Sequence, residues 1–300
     1  MSGLPGTLDP QVLSAIADLE LVARVTVDGT VAGLHRSPFH GYSAEFSQYR
    51  HYRPGDDLKY VDWKLFARTD RFYTKQYRET TNLVAHLAVD ASGSMGFAGA
   101  NAVSKLAYAR LLAAAVASLL LGQGDGVGLV VYDDTVRQFI GGRSGRAHLR
   151  SVLVALSKLQ ASGRTSAAAP LKRAAELLKR RGLICVFSDL YDDDAALDAE
   201  LRRALGMGHE VAVFHVLTRE ELVLRLPDEA EIEDLESGAT LITRPADARR
   251  SYELRFKEFL DTWRRRCTGY GIDYTLAVTD VPLDEVLKDY LLRRARAVGR

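Results

Sequence analysis

Five apolar runs, at residues 83–89, 126–132, 183–188, 210–217 and 272–278, alternate with stretches of helical periodicity. Runs of this length between turn signals read as strands. They are near-continuous in Val, Ile, Leu and Ala rather than alternating, the pattern of strands buried on both faces in a parallel sheet. The stretches 102–121, 146–159, 167–181, 195–205, 248–268 and 283–297 read as helices. A further strand at 136–140 is placed to pair with 126–132. The alternation predicts an α/β fold, a doubly wound, mostly parallel sheet with helices on both faces. Such sheets gather their ligands at the carboxyl ends of the strands.

The 300 residues, 47% hydrophobic, are enough for two domains. Three regions are expected: an N-terminal helical segment at 1–35, a small β-rich subdomain at 36–80, and the α/β domain at 81–300. In the first, Asp9-Pro10 suits a cap followed by proline at the first helical position. Leu13, Ile16, Leu19, Val22 and Ala23 then follow helical spacing. Asp28-Gly29 either ends this helix or makes a hairpin turn. Residues 39–77 hold 11 of the 25 aromatics, and residues 36–78 carry nine Lys/Arg against five Asp/Glu. The alternating run 71–77 reads as a strand and Pro54-Gly55 as a turn. The acidic stretch 228–236 reads as a solvated loop.

Composition narrows the function classes. A formal net charge of +1 gives no reason to expect nucleic-acid binding by the whole protein. Two cysteines, Cys185 and Cys267, can build neither a disulfide framework nor a four-cysteine zinc site, and read as buried free thiols. The N-terminus has no basic, then apolar, leader pattern. The longest charge-free apolar run, 111–121, is shorter than the ~20 residues of a bilayer span. A soluble cytoplasmic protein is expected.

The first sheet strand runs into Asp90-Ala91-Ser92-Gly93-Ser94. One carboxylate and two hydroxyls at alternate positions, just past a strand, supply the oxygen donors that hard divalent cations prefer. The same run also reads as a turn in which Asp90 caps backbone amides. Thr165 lies in a loop entering a helix, and Asp189 follows the 183–188 strand. Each alone is a cap or turn residue. In this order, Asp-x-Ser-x-Ser, Thr and Asp, the five resemble the metal-ion-dependent adhesion site of von Willebrand factor A domains. The resemblance implies that Ser92, Ser94 and Thr165 ligate Mg²⁺ or Mn²⁺ directly. Asp90 and Asp189 would act directly or through water, and a partner's carboxylate would take an open position.

A second block precedes the sheet: Arg36-Ser37-Pro38, Gly41, Glu45-Phe46, Tyr49-Arg50, Tyr52-Arg53-Pro54-Gly55-Asp56-Asp57, Val61-Asp62-Trp63-Lys64 and Ala67-Arg68. Read as scaffolding, Gly55 takes positive φ in a turn, Asp56 and Asp57 cap amides or pair with Arg50, Arg53 or Arg68, and Trp63 packs on the sheet. As a block it resembles the domain-of-unknown-function-58 family, which carries it before a von Willebrand A-like domain. The resemblance implies a companion of a MoxR-type AAA+ ATPase.

The expected function is therefore a non-enzymatic, Mg²⁺-dependent adaptor that binds that ATPase, a client protein with a carboxylate, or both. Arg50, Arg53, Asp56, Asp57 and Arg68 are candidates for a second contact surface. No Gly-x-x-x-x-Gly-Lys-Ser/Thr stretch offers ATP chemistry. The alternatives are a metal-dependent hydrolase and a nucleic-acid binder using the basic, aromatic 36–78 segment. For the hydrolase, Ser92 stands where a phosphoaspartyl enzyme would need a second Asp. His86, His209 and His215 read as satisfied sheet histidines. Loss of binding with EDTA favours the adaptor, and steep loss with salt favours the nucleic-acid binder.

Overall fold

The computed structural model describes residues 10–32, 44–53, 61–79, 83–100, 103–164, 166–178, 181–191, 194–223, 230–233, 240–243 and 245–298. The chain divides into two compact units, Met1–Pro38 with Leu83–Arg300, and Phe39–Asn82. In chain order the elements are α1 (Pro10–Ala32), β1 (Ala44–His51), α2 (Trp63–Thr69), β2 (Tyr73–Glu79), β3 (Val84–Asp90), α3 (Lys105–Gly122), β4 (Gly126–Tyr132) and β5 (Val136–Arg143). There follow α4 (Arg146–Ser157), α5 (Ala168–Leu177), β6 (Leu183–Ser188), α6 (Asp194–Gly206), β7 (Glu210–Leu217) and the single turn α7 (Arg219–Leu222). The last are β8 (Ala230–Glu233), β9 (Thr240–Thr243), α8 (Pro245–Tyr270), β10 (Asp273–Val278) and α9 (Leu283–Val298).

The larger unit is built on a six-stranded sheet in the order β10-β7-β6-β3-β4-β5. All neighbours are parallel except β5, which runs antiparallel to β4 at the edge. Numbered in chain order, these six strands run 3-2-1-4-5-6 from the β5 edge, the doubly wound order. Its switch point lies between β3 and β6. The central strands are buried almost throughout, as a parallel sheet covered on both faces requires.

One face carries α3, against which α1, α4 and α9 pack. Ala113, Ala114, Ala115 and Ala117 are fully buried in α3, and these small side chains let it approach the sheet closely. α3 is long and apolar enough to cross a membrane by length and composition, but 67% of it is buried inside the protein. On the other face, Leu171 and Ala174 of α5, Leu197 and Leu201 of α6, and Trp263 and Cys267 of α8 bury against Ala88, Val130, Ile184, Val186 and Val213.

Several expectations need correction. α1 does not break at Asp28-Gly29 but continues to Ala32. Leu19, Ala23, Thr26 and Thr30 bury, and Thr30 Oγ1 donates to the Thr26 carbonyl at 2.7 Å. Packing of that face outweighs the ~1 kcal/mol helix penalty of a glycine. α3 starts at Lys105 rather than 102, because Ser104 caps it by accepting from the Ala107 amide. α5 ends at Leu177 rather than 181, where Leu178 turns extended and buries. Within 228–236, Ala230–Glu233 is a strand paired with β9, not simply a loop.

In the smaller unit β1 and β2 pair antiparallel, with an irregularity between Phe46 and Gln48. The helix α2 has no counterpart in the sequence reading. Asp62 nucleates it: Oδ1 accepts from the Lys64 and Leu65 amides, both at 3.0 Å, while Tyr49 donates its hydroxyl to Oδ2 at 2.8 Å. Trp63 does not pack on a sheet. It is 55% exposed and sits edge-on to Phe66 and Phe72. Arg53 and Arg68 are exposed and Arg50 is half-buried, donating to the His51 carbonyl at 3.3 Å. Pro54, Gly55, Asp56 and Asp57 lie outside the described residues, so the expected turn and its ion pairs do too.

Candidate functional site

Asp90 ends β3 and Asp189 follows β6, so the switch point of the sheet brings two carboxylates together across 98 residues of chain. Both are fully buried. Asp90 Oδ1 accepts from the Ser92 amide at 2.9 Å, and Oδ2 from the Ser188 hydroxyl at 2.7 Å. The amide-capping reading of Asp90 is thus correct for one oxygen. Burial first, and then the charge of Asp189, push the Asp90 carboxyl up to about 7, against the pull of the Ser188 and Ser92 hydrogen bonds. Asp90 is thus a buried carboxyl whose hydrogen-bond donors are neutral, so it is short of positive charge.

Ser92 occupies the N-cap position of a 3-10 turn, Gly93–Gly96, yet its side chain makes no capping bond. Its Oγ lies 3.2 Å from Ser94 Oγ instead. Two hydroxyls side by side, beside an under-compensated carboxylate, match the donor set of a hard cation. Among the described residues no three His, Cys, Asp or Glu side chains converge on a metal position. A cation here would therefore depend on the serine oxygens. Thr165 lies outside the described residues, but its loop is anchored on both sides. The Gly93 amide donates to the Gly163 carbonyl, the Ser162 amide to the Ala91 carbonyl, both at 2.9 Å, and the Ser166 amide to the Asp133 carbonyl at 3.3 Å.

The sequence reading missed the residues that hold these parts in place. Ser188, the last residue of β6, donates to Asp90 and accepts from the Leu190 amide at 3.0 Å, with Leu190 at φ +58°. A branched side chain in that region is uncommon and strained. Arg137 of β5 pairs with Asp133 and also donates to the Gln160 carbonyl at 3.2 Å and to Ser162 Oγ at 2.8 Å. Gly163, at φ +81°, passes so close that a Cβ would sit 2.8 Å from Asp133 Oδ2. Only glycine suits both demands.

Asp189 is held from three sides. Its Oδ1 accepts from the Tyr191 amide at 3.2 Å, and its Oδ2 from Lys105 Nζ at 2.7 Å. Its carbonyl meets His215 Nε2 at 2.8 Å, and His215 Nδ1 meets the Tyr274 hydroxyl at 2.7 Å. A carbonyl only accepts, so Nε2 carries the proton and Nδ1 accepts from tyrosine. Burial lowers this histidine to about 4, leaving it neutral near pH 7. His215 is thus a satisfied sheet histidine. His86 is not: it is buried, its ring stacks on Phe139, and its Nδ1 has no hydrogen-bond partner. His209 Nδ1 is likewise without one. Cys185 and Cys267 are buried free thiols, each pushed up to about 12 by burial.

Fold and site together define a doubly wound α/β protein with a carboxylate–hydroxyl cluster at the switch point and a small β-rich unit inserted before the sheet. A family model described as "Protein of unknown function DUF58" matches residues 48–258, and the chain belongs to that family. It is 28% identical over 233 residues to the uncharacterized protein Rv1480 of Mycobacterium tuberculosis (strain ATCC 25618 / H37Rv), covering 77% of this chain and 73% of that protein. Uncharacterized protein Mb1516 of Mycobacterium bovis matches equally. Among solved structures, the conserved hypothetical protein BatB from Bacteroides thetaiotaomicron aligns at TM-score 0.43 and 17% identity, over 71% of this chain and 99% of that one. The SpRpn10 VWA domain aligns at TM-score 0.44 and 11% identity, over 69% and 94%.

Proposed function

We propose that this protein is a non-enzymatic, Mg²⁺- or Mn²⁺-dependent protein-binding adaptor, working with a MoxR-type AAA+ ATPase in the remodelling or maturation of a client. The observation that carries this reading is the pair of adjacent hydroxyls, Ser92 and Ser94, beside the buried Asp90 and Asp189 at the switch point. Ser92, Ser94 and Thr165 would hold the cation, with Asp90 and Asp189 acting directly or through water. Bound there, the cation supplies an electrophilic position for a partner's carboxylate. Asp90 orients the Ser92 backbone and Ser188 through its two oxygens. The ATPase is the companion that the family resemblance implies. Free buried thiols suit action in a reducing cytoplasm.

Affinity capture tests this with wild type in Mg²⁺, wild type in EDTA, and Asp90→Asn in Mg²⁺. Retention of an AAA+ ATPase or a defined client only by wild type in Mg²⁺ is the expected outcome. Equal capture in all three samples would remove the metal site from the contact and leave the 36–78 segment as the surface to test.

A further inference from the structure

Lys105 has a place in this site that the sequence motif does not announce. It opens α3, fifteen residues after Asp90, and its side chain is only 1% exposed. Its Nζ reaches Asp189 Oδ2 at 2.7 Å and Glu221 Oε1 at 2.6 Å, and lies 4.8 Å from the centre of the Tyr191 ring. Glu221 is itself pinned: its other oxygen, Oε2, accepts from the Thr218 amide at 2.7 Å in a capping box that starts α7. Next to it, Glu220 accepts from the Ala100 amide at 2.9 Å, which ties the segment between the Asp-x-Ser-x-Ser turn and α3 to the same helical turn. A buried ammonium thus bridges one carboxylate of the candidate site and one carboxylate outside it.

The consequence is electrostatic. Asp90 has only neutral donors on its oxygens, whereas Asp189 has a full positive charge on one oxygen and an amide on the other. We propose that Lys105 sets the charge and the reach of the site: it holds Asp189 toward Glu221, so that Asp189 acts on a divalent cation beside Ser92 and Ser94 only through water, Asp90 supplies most of the neutralisation, and the cation keeps charge for an incoming acidic group. Glu221 tunes this from a distance by sharing the ammonium. The inference rests on the metal reading above and deepens it, making Lys105 a positioning residue rather than a ligand.

Opposite signs in two variants test it. Calorimetry with Mg²⁺ alone is run on the full chain as wild type, Lys105→Met and Glu221→Gln. Removing the ammonium frees Asp189, and Mg²⁺ is expected to bind roughly tenfold or more tightly, the order for a unit charge several Å away at an effective dielectric of ~20. Removing Glu221's charge leaves the ammonium to Asp189 alone, and Mg²⁺ is expected to bind several-fold more weakly. A purely structural role for the cluster would weaken binding in both. If Lys105→Met does not fold, Lys105→Met with Glu221→Gln removes the ammonium together with one of its two carboxylates. That double variant is expected to bind more tightly than wild type. Unchanged or weaker Mg²⁺ binding in the folded lysine variant overturns the role of Lys105 while leaving the metal site standing. No Mg²⁺ binding by wild type at millimolar concentration overturns the metal reading and this inference with it.

Discussion

His86 shows how an individual side chain in this sheet couples to solvent conditions. It is 4% exposed, and burial, then the charge of His209, lower it to about 4. A Cβ on Gly128 would approach its ring to 2.5 Å, so the neighbouring strand must be bare there. In the unfolded chain a histidine protonates below about 6.5. Between those two values the unfolded state binds the extra proton, so stability falls as pH drops from about 6.5 toward 4. The loss is roughly 1.4 kcal/mol for each pH unit in that window. His215, lowered likewise to about 4, adds a loss of the same sign in this window, while Asp90, raised to about 7, opposes it. In thermal melts from pH 7 to 4.5, His86→Phe is expected to remove its own share of the slope, roughly 1.4 kcal/mol per pH unit. An equal slope in that variant would place the sensitivity elsewhere. Asp62 is a second case: Asp62→Ala is expected to cost the smaller unit about 1 kcal/mol, through loss of the α2 cap, read by the exchange rates of the Lys64 and Leu65 amides.

Among the elements, the loop between α4 and α5 matters most to the candidate site, because it carries Thr165 and its described residues form neither helix nor strand. Arg137 supplies what a ladder of backbone bonds would otherwise supply. It reaches Asp133, Gln160 and Ser162 with charge-assisted hydrogen bonds, the stronger kind. Arg137→Ala is expected to raise hydrogen exchange in residues 159–164, cost ~1–3 kcal/mol, and weaken Mg²⁺ binding several-fold while the sheet stays folded. Unaltered exchange in that loop would show that the Gly93 and Ser162 backbone bonds suffice. α1 illustrates the opposite balance. Its Asp28-Gly29 pair is a strong local stop signal, and the buried face of the helix overrides it.

For the molecule as a whole, the doubly wound sheet does two jobs with one core. Leu87, at the centre of β3, is fully buried, and Leu87→Ala is expected to cost about 2–5 kcal/mol by the general behaviour of such truncations, toward the low end if the site collapses well. The same strand ends in the candidate site, so the core that stabilises the fold also fixes Asp90. If the cation reading is correct, Mg²⁺ at about a hundred times its Kd raises unfolding stability by ~2.7 kcal/mol, and EDTA removes that gain. Asp90→Asn is expected to melt at the same temperature with and without Mg²⁺.

The strands and most helices were legible in the residues because burial on both faces leaves an unbroken apolar run, a purely local pattern. The boundaries of β4, β6 and β7 agree with that pattern residue for residue. Asp90, Ser92 and Ser94 stood out because they recur at alternate positions just past one strand, and Asp189 because it directly follows another. The resemblance of the five-residue set to a metal-ion-dependent adhesion site rests on residue type and order alone. What the linear order does not carry is which distant charges meet. Lys105 and Asp189 are 84 positions apart, and Lys105 and Glu221 are 116 apart. Arg137 and Ser162 come together only because β5 folds back along β4. α2 is seven residues long, too short for a period to show, and depends on one buried carboxylate. Trp63, expected to pack on the sheet, meets Phe66 and Phe72 edge-on within its own unit, two neighbours that its sequence position does not announce. Local periodicity thus chose the elements, while desolvation and the pairing of buried charges, which depend on three-dimensional neighbours, chose the partners around the candidate site.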